Sequence, residues 1–209
     1  MKRFFRQASL RFFIVPLLKL AIFPSYFLFR SNFKRLKKVQ EKKFNKLCDG
    51  LKQTEFAGKF NSKGQLGYSF FVKAFGPSQY NDWLDFIERE KSGERVFAEK
   101  PFLYQPTSGS SHKEKWIPYT QSMMDEFKSA IFPWLFDLFQ NFPEIGKGDH
   151  YWSLSWLPTN MRGKGRTNDD LSYFPALHRW LIGKCLCVPP SVTLANTVEA
   201  SRLATCVYL

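Results

Sequence analysis

The chain has 209 residues, 44% of them hydrophobic and 18% aromatic, which is more apolar surface than a disordered or linker protein carries and enough for one domain with a core. The formal net charge of +13 is unevenly placed: residues 1–50 hold thirteen Lys or Arg against Glu41 and Asp49, a net +11, and the other 159 residues carry +2. That distribution excludes a basic body built for specific nucleic-acid binding. It leaves a basic arm that is either a solvated helix face or an attractor of polyanions, phospholipid headgroups or RNA alike.

Within that arm, residues 10–29 (LRFFIVPLLKLAIFPSYFLF) are long enough to cross a bilayer, yet they contain Arg11, Pro16, Lys19 and Pro24. A charge near mid-span and two prolines disfavour a clean span. Arg30, Lys34, Arg35, Lys37 and Lys38 stand where a secretory signal has small cleavage-site residues. The composition leaves three placements open: a segment on a membrane surface or packed on the body, a membrane anchor, and a core helix. Residues 33–52 place Phe33, Leu36, Val39, Phe44, Leu47 and Leu51 at spacings of three to five, which predicts a helix with the lysines opposite.

Beyond the arm, Gly58–Gly67 reads as a loop and Phe75-Gly76-Pro77 as a turn. Residues 81–89 predict a short helix stopped at Gly93, and residues 96–104 a strand despite Pro101. A glycine-containing run, 107–111, follows, and then a helix over 121–141 capped by Thr120 and bent at Pro133. The run is therefore expected between a strand and a helix. Residues 151–157 and 185–188 read as strands, 171–181 and 198–209 as helices, and the alternation predicts an α/β sheet. The last helix ends inside its apolar stripe on Tyr208-Leu209, which creates an expectation that the sequence continues.

Cys48, Cys185, Cys187 and Cys206 show no disulfide framework, so free thiols of a reducing cytoplasm are expected. Cys185 and Cys187 with His178 lack the second ligand pair of a zinc site.

The sharpest chemical signal is Thr107-Ser108-Gly109-Ser110-Ser111, with Lys115 four residues on. Small hydroxyl residues around a glycine let backbone N–H and side-chain O–H groups close on phosphate oxygens while a lysine offsets charge, although serine-glycine runs are also common surface loops. With Trp116-Ile117-Pro118-Tyr119-Thr120 behind it, this run resembles the phosphate loop of acyl-adenylating enzymes in the form found in GH3-type acyl-acid amido synthetases, the GH3 auxin-responsive promoter family. Gln53-Thr54-Glu55-Phe56 with Gly58, Tyr80 through Ile87-Glu88-Arg89 with Gly93-Glu94, Leu154-Ser155 with Leu157-Pro158, Val188-Pro189-Pro190, and Ala204 to Leu209 resemble further family segments in the same order.

The resemblance covers most of residues 45–209. It implies an incomplete amino-terminal part of an α/β acyl-adenylating fold at 45–209, preceded by a basic helical arm at 1–44. It also implies ATP and Mg2+, a carboxylic acid and an amino acid or amine as substrates, and a cytoplasmic protein with a possible peripheral membrane contact through residues 1–44. Thr107 would begin the loop, Ser108, Gly109, Ser110 and Ser111 would hold ATP phosphates, and Lys115 would supply positive charge. His112 departs from the Gly or Ser of many relatives. The family's later acyl and adenine pockets and its mobile carboxyl-terminal domain have no counterpart here, so the resemblance implies no complete synthetase activity from these residues alone. The alternative is a non-catalytic membrane-associated scaffold or a gene-fragment product. Ser110-Ser111-His112-Lys113 also fits the Ser-x-x-Lys of penicillin-recognising enzymes, but no Ser-Asp-Asn or Lys-Thr-Gly follows.

Overall fold

A computed structural model describes residues 2–59, 67–106, 115–153, 156 and 174–209. The chain forms two compact units: Met1–Arg30 joined with Glu126–Leu209, and Ser31–Asp125.

In the first unit, α1 (Lys2–Phe33) runs through Pro16 and Pro24 without ending. Ile14, Leu18 and Ile22, four residues apart, lie on one side of it and are buried, Leu18 at 1% and Ile22 at 0% exposure. They pack in one core with Phe132, Leu135, Phe136 and Phe139 of α5 (Gln121–Asn141) and with Leu181, Ile182 and Cys185 of α6 (Ala176–Cys185). Of the placements left open by composition, this side of α1 is core. Thr120 caps α5 as expected, its Oγ1 accepting the Met123 N–H at 3.3 Å, and Pro133 lies inside that helix.

The α/β expectation holds only in part, because the described residues are mostly helical and contain a single two-stranded sheet. Three reasons are local. First, α6 starts at Ala176 behind Pro175 and continues to Cys185, burying Leu181, Ile182 and Cys185, so the strand expected at 185–188 shrinks to one parallel bridge between His150 and Leu186. The His150 N–H donates to the Cys185 carbonyl at 3.0 Å, and the Cys187 N–H donates to the His150 carbonyl at 2.9 Å. Second, residues 151–153 adopt no regular structure; 154, 155 and 157 of that expected strand lie outside the described residues. Third, the strand expected over 96–104 is occupied at its start by a side chain. Glu90 Oε2 accepts the Val96 and Phe97 N–H groups at 2.7 and 2.9 Å, so those donors are not available to a ladder.

The carboxyl-terminal helix, α7 (Val198–Tyr208), begins at Thr197, whose side chain accepts the Ala200 N–H at 3.1 Å. Its Leu203 and Val207 are exposed.

The second unit contains α2 (Leu36–Leu51), α3 (Tyr68–Phe75), α4 (Leu84–Lys91), β1 (Leu103–Pro106) and β2 (Trp116–Tyr119). The predicted helix over 33–52 is α2, separated from α1 by a turn at residues 34–35. Its half-buried Phe44 meets Tyr68 and Phe71 edge-on at 5.7 and 5.4 Å between ring centroids. Helix α3 was not expected from the sequence. It ends at Gly76, and α4 is followed by Gly93, with φ of 55° and 102°, values that favour glycine.

Candidate functional site

The geometry around the glycine-containing run starts from β1 and β2. Leu103 and Tyr104 bring apolar and aromatic strand formers, Trp116, Ile117 and Tyr119 bring more, and the two segments pair antiparallel, with Leu103 opposite Tyr119 and Pro106 opposite Trp116. The Phe102 N–H extends the pairing by donating to the Tyr119 carbonyl at 3.0 Å. This corrects the expected strand-to-helix placement. The run joins two neighbouring strands, and α5 begins only after β2, at Gln121. Thr107, Ser108, Gly109, Ser110, Ser111 and His112 themselves lie outside the described residues.

The stem of the hairpin is held by a residue distant in sequence. The Tyr80 hydroxyl accepts the Trp116 N–H at 2.9 Å and lies 3.4 Å from the Trp116 carbonyl oxygen, to which it donates. Tyr80 opens a one-turn 3-10 helix, Tyr80–Trp83, fixed by reciprocal bonds in which the Gln79 N–H donates to Asp82 Oδ2 at 2.7 Å.

Lys115, the last residue before β2, is exposed, and its ammonium lies 5.8 Å from the centroid of the Tyr80 ring. Among the described residues it pairs with no carboxylate. A cation held by an aromatic face rather than by an acid keeps its charge available to an incoming anion. A second ammonium, that of Lys91, lies 5.0 Å from the Trp116 ring and 5.4 Å from the Tyr104 ring, although it also pairs with Glu88 at 3.1 Å. Burial first, then the nearby Glu90 and Glu88 charges, push the Tyr104 hydroxyl above its ordinary pKa, which keeps this phenol neutral. Tyr80, Lys91 and Tyr104 were not candidate site residues in the sequence, because their relation to Lys115 and Trp116 is a product of chain reversal and not of spacing.

Two of the stretches that carried the family resemblance meet in this unit. Arg89 donates through Nη2 to Glu55 at 3.2 Å, through Nε to Glu94 at 2.9 Å and through Nη1 to Asp85 at 3.5 Å. The bonds to Glu94 and Glu55 raise the guanidinium above its ordinary pKa, and the same contact lowers the Glu94 carboxyl. Next to Glu55, Phe56 sits among Phe75, Trp83 and Phe86, with ring centroids 5.4 to 5.8 Å away. Residues 53–56 and 80–94 are thus one packed assembly, and its Tyr80 supports the base of the hairpin. Val188-Pro189-Pro190 belongs to the other unit, where a 3-10 turn, Pro190–Leu194, follows it and Trp156 Nε1 donates to the Ala195 carbonyl at 2.8 Å.

Among the described residues no three or more His, Cys, Asp or Glu side chains gather as a metal site. His178 stacks on Phe132 at 4.6 Å, with its Nε2 3.4 Å from the Ala21 carbonyl and its Nδ1 buried without a partner.

The chain belongs to the GH3 family: the family model described as GH3 family N-terminal domain matches residues 28–203. No curated protein matches the chain, and no solved structure does.

Proposed function

We propose that this chain serves the adenylation chemistry of a GH3-type acyl-acid amido synthetase, binding the phosphates of ATP at residues 107–115. The observation that carries the reading is the match of the GH3 amino-terminal domain over residues 28–203, taken with a hairpin stem that closes on both ends of that run. Pro106 opposite Trp116 sets the ends of a nine-residue connection side by side, so a sequence rich in small hydroxyl residues spans two adjacent strands.

In this reading Thr107 begins the loop, the hydroxyl and N–H groups of Ser108, Gly109, Ser110 and Ser111 donate to phosphate oxygens, and Lys115 offsets their charge. The exposed ammonium beside Tyr80 fits an anionic substrate. Mg2+ would arrive on the ATP phosphates and neutralise part of their charge. The carboxylic acid, the amine acceptor, the wider α/β sheet and a cytoplasmic location belong to the same proposal. In adenylation the carboxylate attacks the α-phosphate of ATP and pyrophosphate leaves; the amine then displaces AMP to give the amide.

The test is isothermal titration of the folded chain with ATP and magnesium, beside Lys115→Ala and Gly109→Val variants whose folding is checked by circular dichroism. Saturable binding, weakened in both variants, supports the reading. A folded chain that binds no ATP overturns it and leaves the non-catalytic scaffold.

A further inference from the structure

Helix α1 has two apolar sides, and among the described residues only one of them is buried. At 100° per residue, Ile14, Leu18 and Ile22 fall within one sector, which is the buried one. Leu17, Leu20, Phe23 and Phe27 fall on the other side and are exposed, Leu20 at 70% and Phe27 at 63%. A helix that is apolar all round is normally enclosed on all sides, and contiguous exposed apolar surface of this extent marks an interaction site. Beside it runs a groove of about 480 Å³ lined by Val15, Lys19, Leu20, Phe23, Phe136 and Lys147, which continues the apolar surface onto α5.

We propose that the exposed side of α1, with this groove, docks on the surface of an anionic phospholipid bilayer. Charge argues for that occupant over a neutral partner: residues 1–30 contain six Lys or Arg and no Asp or Glu. Lys19 lies at the border between the buried and exposed sectors. Its ammonium is bound to the neutral Gln140 amide at 2.8 Å and packs 5.7 Å from the Phe136 ring centroid, and among the described residues no carboxylate pairs with it. An ammonium at the edge of an apolar strip sits where headgroup phosphates meet acyl chains.

The same burial pattern sets the orientation. Residues Phe13–Phe33 are long and apolar enough to cross a membrane. A span, however, would withdraw Ile14, Leu18 and Ile22 from the core they share with α5 and α6. The helix therefore lies in the plane of the interface, one side in the protein and the other about 5–10 Å deep among headgroups and upper acyl chains.

The experiment is co-sedimentation of the full chain with vesicles of phosphatidylcholine alone and of an equal mixture with phosphatidylglycerol. Binding is expected to the mixed vesicles, to weaken with added salt, and to fall at least roughly tenfold in a Leu17→Ser/Leu20→Ser/Phe27→Ser variant. A Leu203→Ser/Val207→Ser variant, altered at exposed apolar residues of α7, is expected to bind like the parent. If the triple variant loses its helical signal, single Leu20→Ser carries the comparison. Equal vesicle binding by the parent and the α1 variants overturns the proposal. So does resistance to alkaline carbonate extraction, which marks a span, or an α1-dependent dimer that ignores vesicles, which makes a second copy the occupant.

Discussion

The Tyr80 hydroxyl is bonded to both backbone groups of Trp116, 36 positions later, at the first residue of the strand that follows the candidate phosphate loop. One phenol thus fixes where that strand begins. Tyr80→Phe keeps the ring that faces Lys115 and removes the hydroxyl. The expected loss is about 0.5–1.5 kcal/mol in urea unfolding, with ATP affinity reduced less than in Lys115→Ala.

Glu90 gives a larger effect, because its carboxylate serves two backbone donors of which Val96 is buried. Glu90→Ala strands both and is expected to cost about 2–4 kcal/mol, with Glu90→Gln costing less because one acceptor oxygen remains. Chemical denaturation of the two variants against the parent measures the difference.

Glu99 links stability to pH. Its carboxylate accepts from the Ser122 hydroxyl and, at 3.1 Å, from the Ser122 N–H in the first turn of α5, and these bonds, the hydroxyl's first, lower its pKa from the ordinary 4.5. A depressed folded-state value means a contribution fully present above pH 4.5 and lost as pH falls through the lower folded value. Glu94, lowered by Arg89, acts in the same direction. Glu99→Gln is expected to be less stable than the parent at pH 7 and to lose less on acidification to pH about 3, read from thermal midpoints across that range.

Much of the helix pattern was legible, and the sheet was not. Thr120, Gly93 and the Leu36–Leu51 periodicity act as read, since caps, stops and amphipathic faces are local features of three or four residues. The strand content failed where a local side chain or a longer helix took over the backbone: Glu90 at Val96-Phe97, and α6 running on to Cys185. Helix α3 escaped because Tyr68-Ser69-Phe70-Phe71-Val72 is aromatic and β-branched, and its packing against Phe44 and Phe56 outweighs that propensity. At the site, Lys115 was visible as a cation near a loop. That Tyr80 holds it depends on a contact 35 positions away.

The inward side of α1 gives a direct contrast. Leu18→Ala removes a fully buried side chain and is expected to cost about 2–5 kcal/mol. Leu20→Ala, two residues on and exposed, is expected to stay within about 0.5 kcal/mol. Equal small effects in urea melts would mean that α1 is not part of the core.

Thiol reactivity reports the same packing. Cys206 is exposed, Cys187 half-buried, and Cys48 and Cys185 buried, with burial also raising the Cys48 thiol pKa. Under native conditions at neutral pH, iodoacetamide is expected to modify Cys206 first and Cys185 only as the chain unfolds, followed by mass spectrometry of peptides.

The unit that holds α1 is assembled from segments separated by Ser31–Asp125. On the ribosome, Ile22 emerges long before Ile182, its companion in the core. At about 5–20 residues per second, the core around the helix stays incomplete for roughly ten to thirty seconds. During that interval its apolar surface is open to chaperones and to aggregation, and folding yield is expected to depend on how α1 is sheltered while the rest of the chain is made.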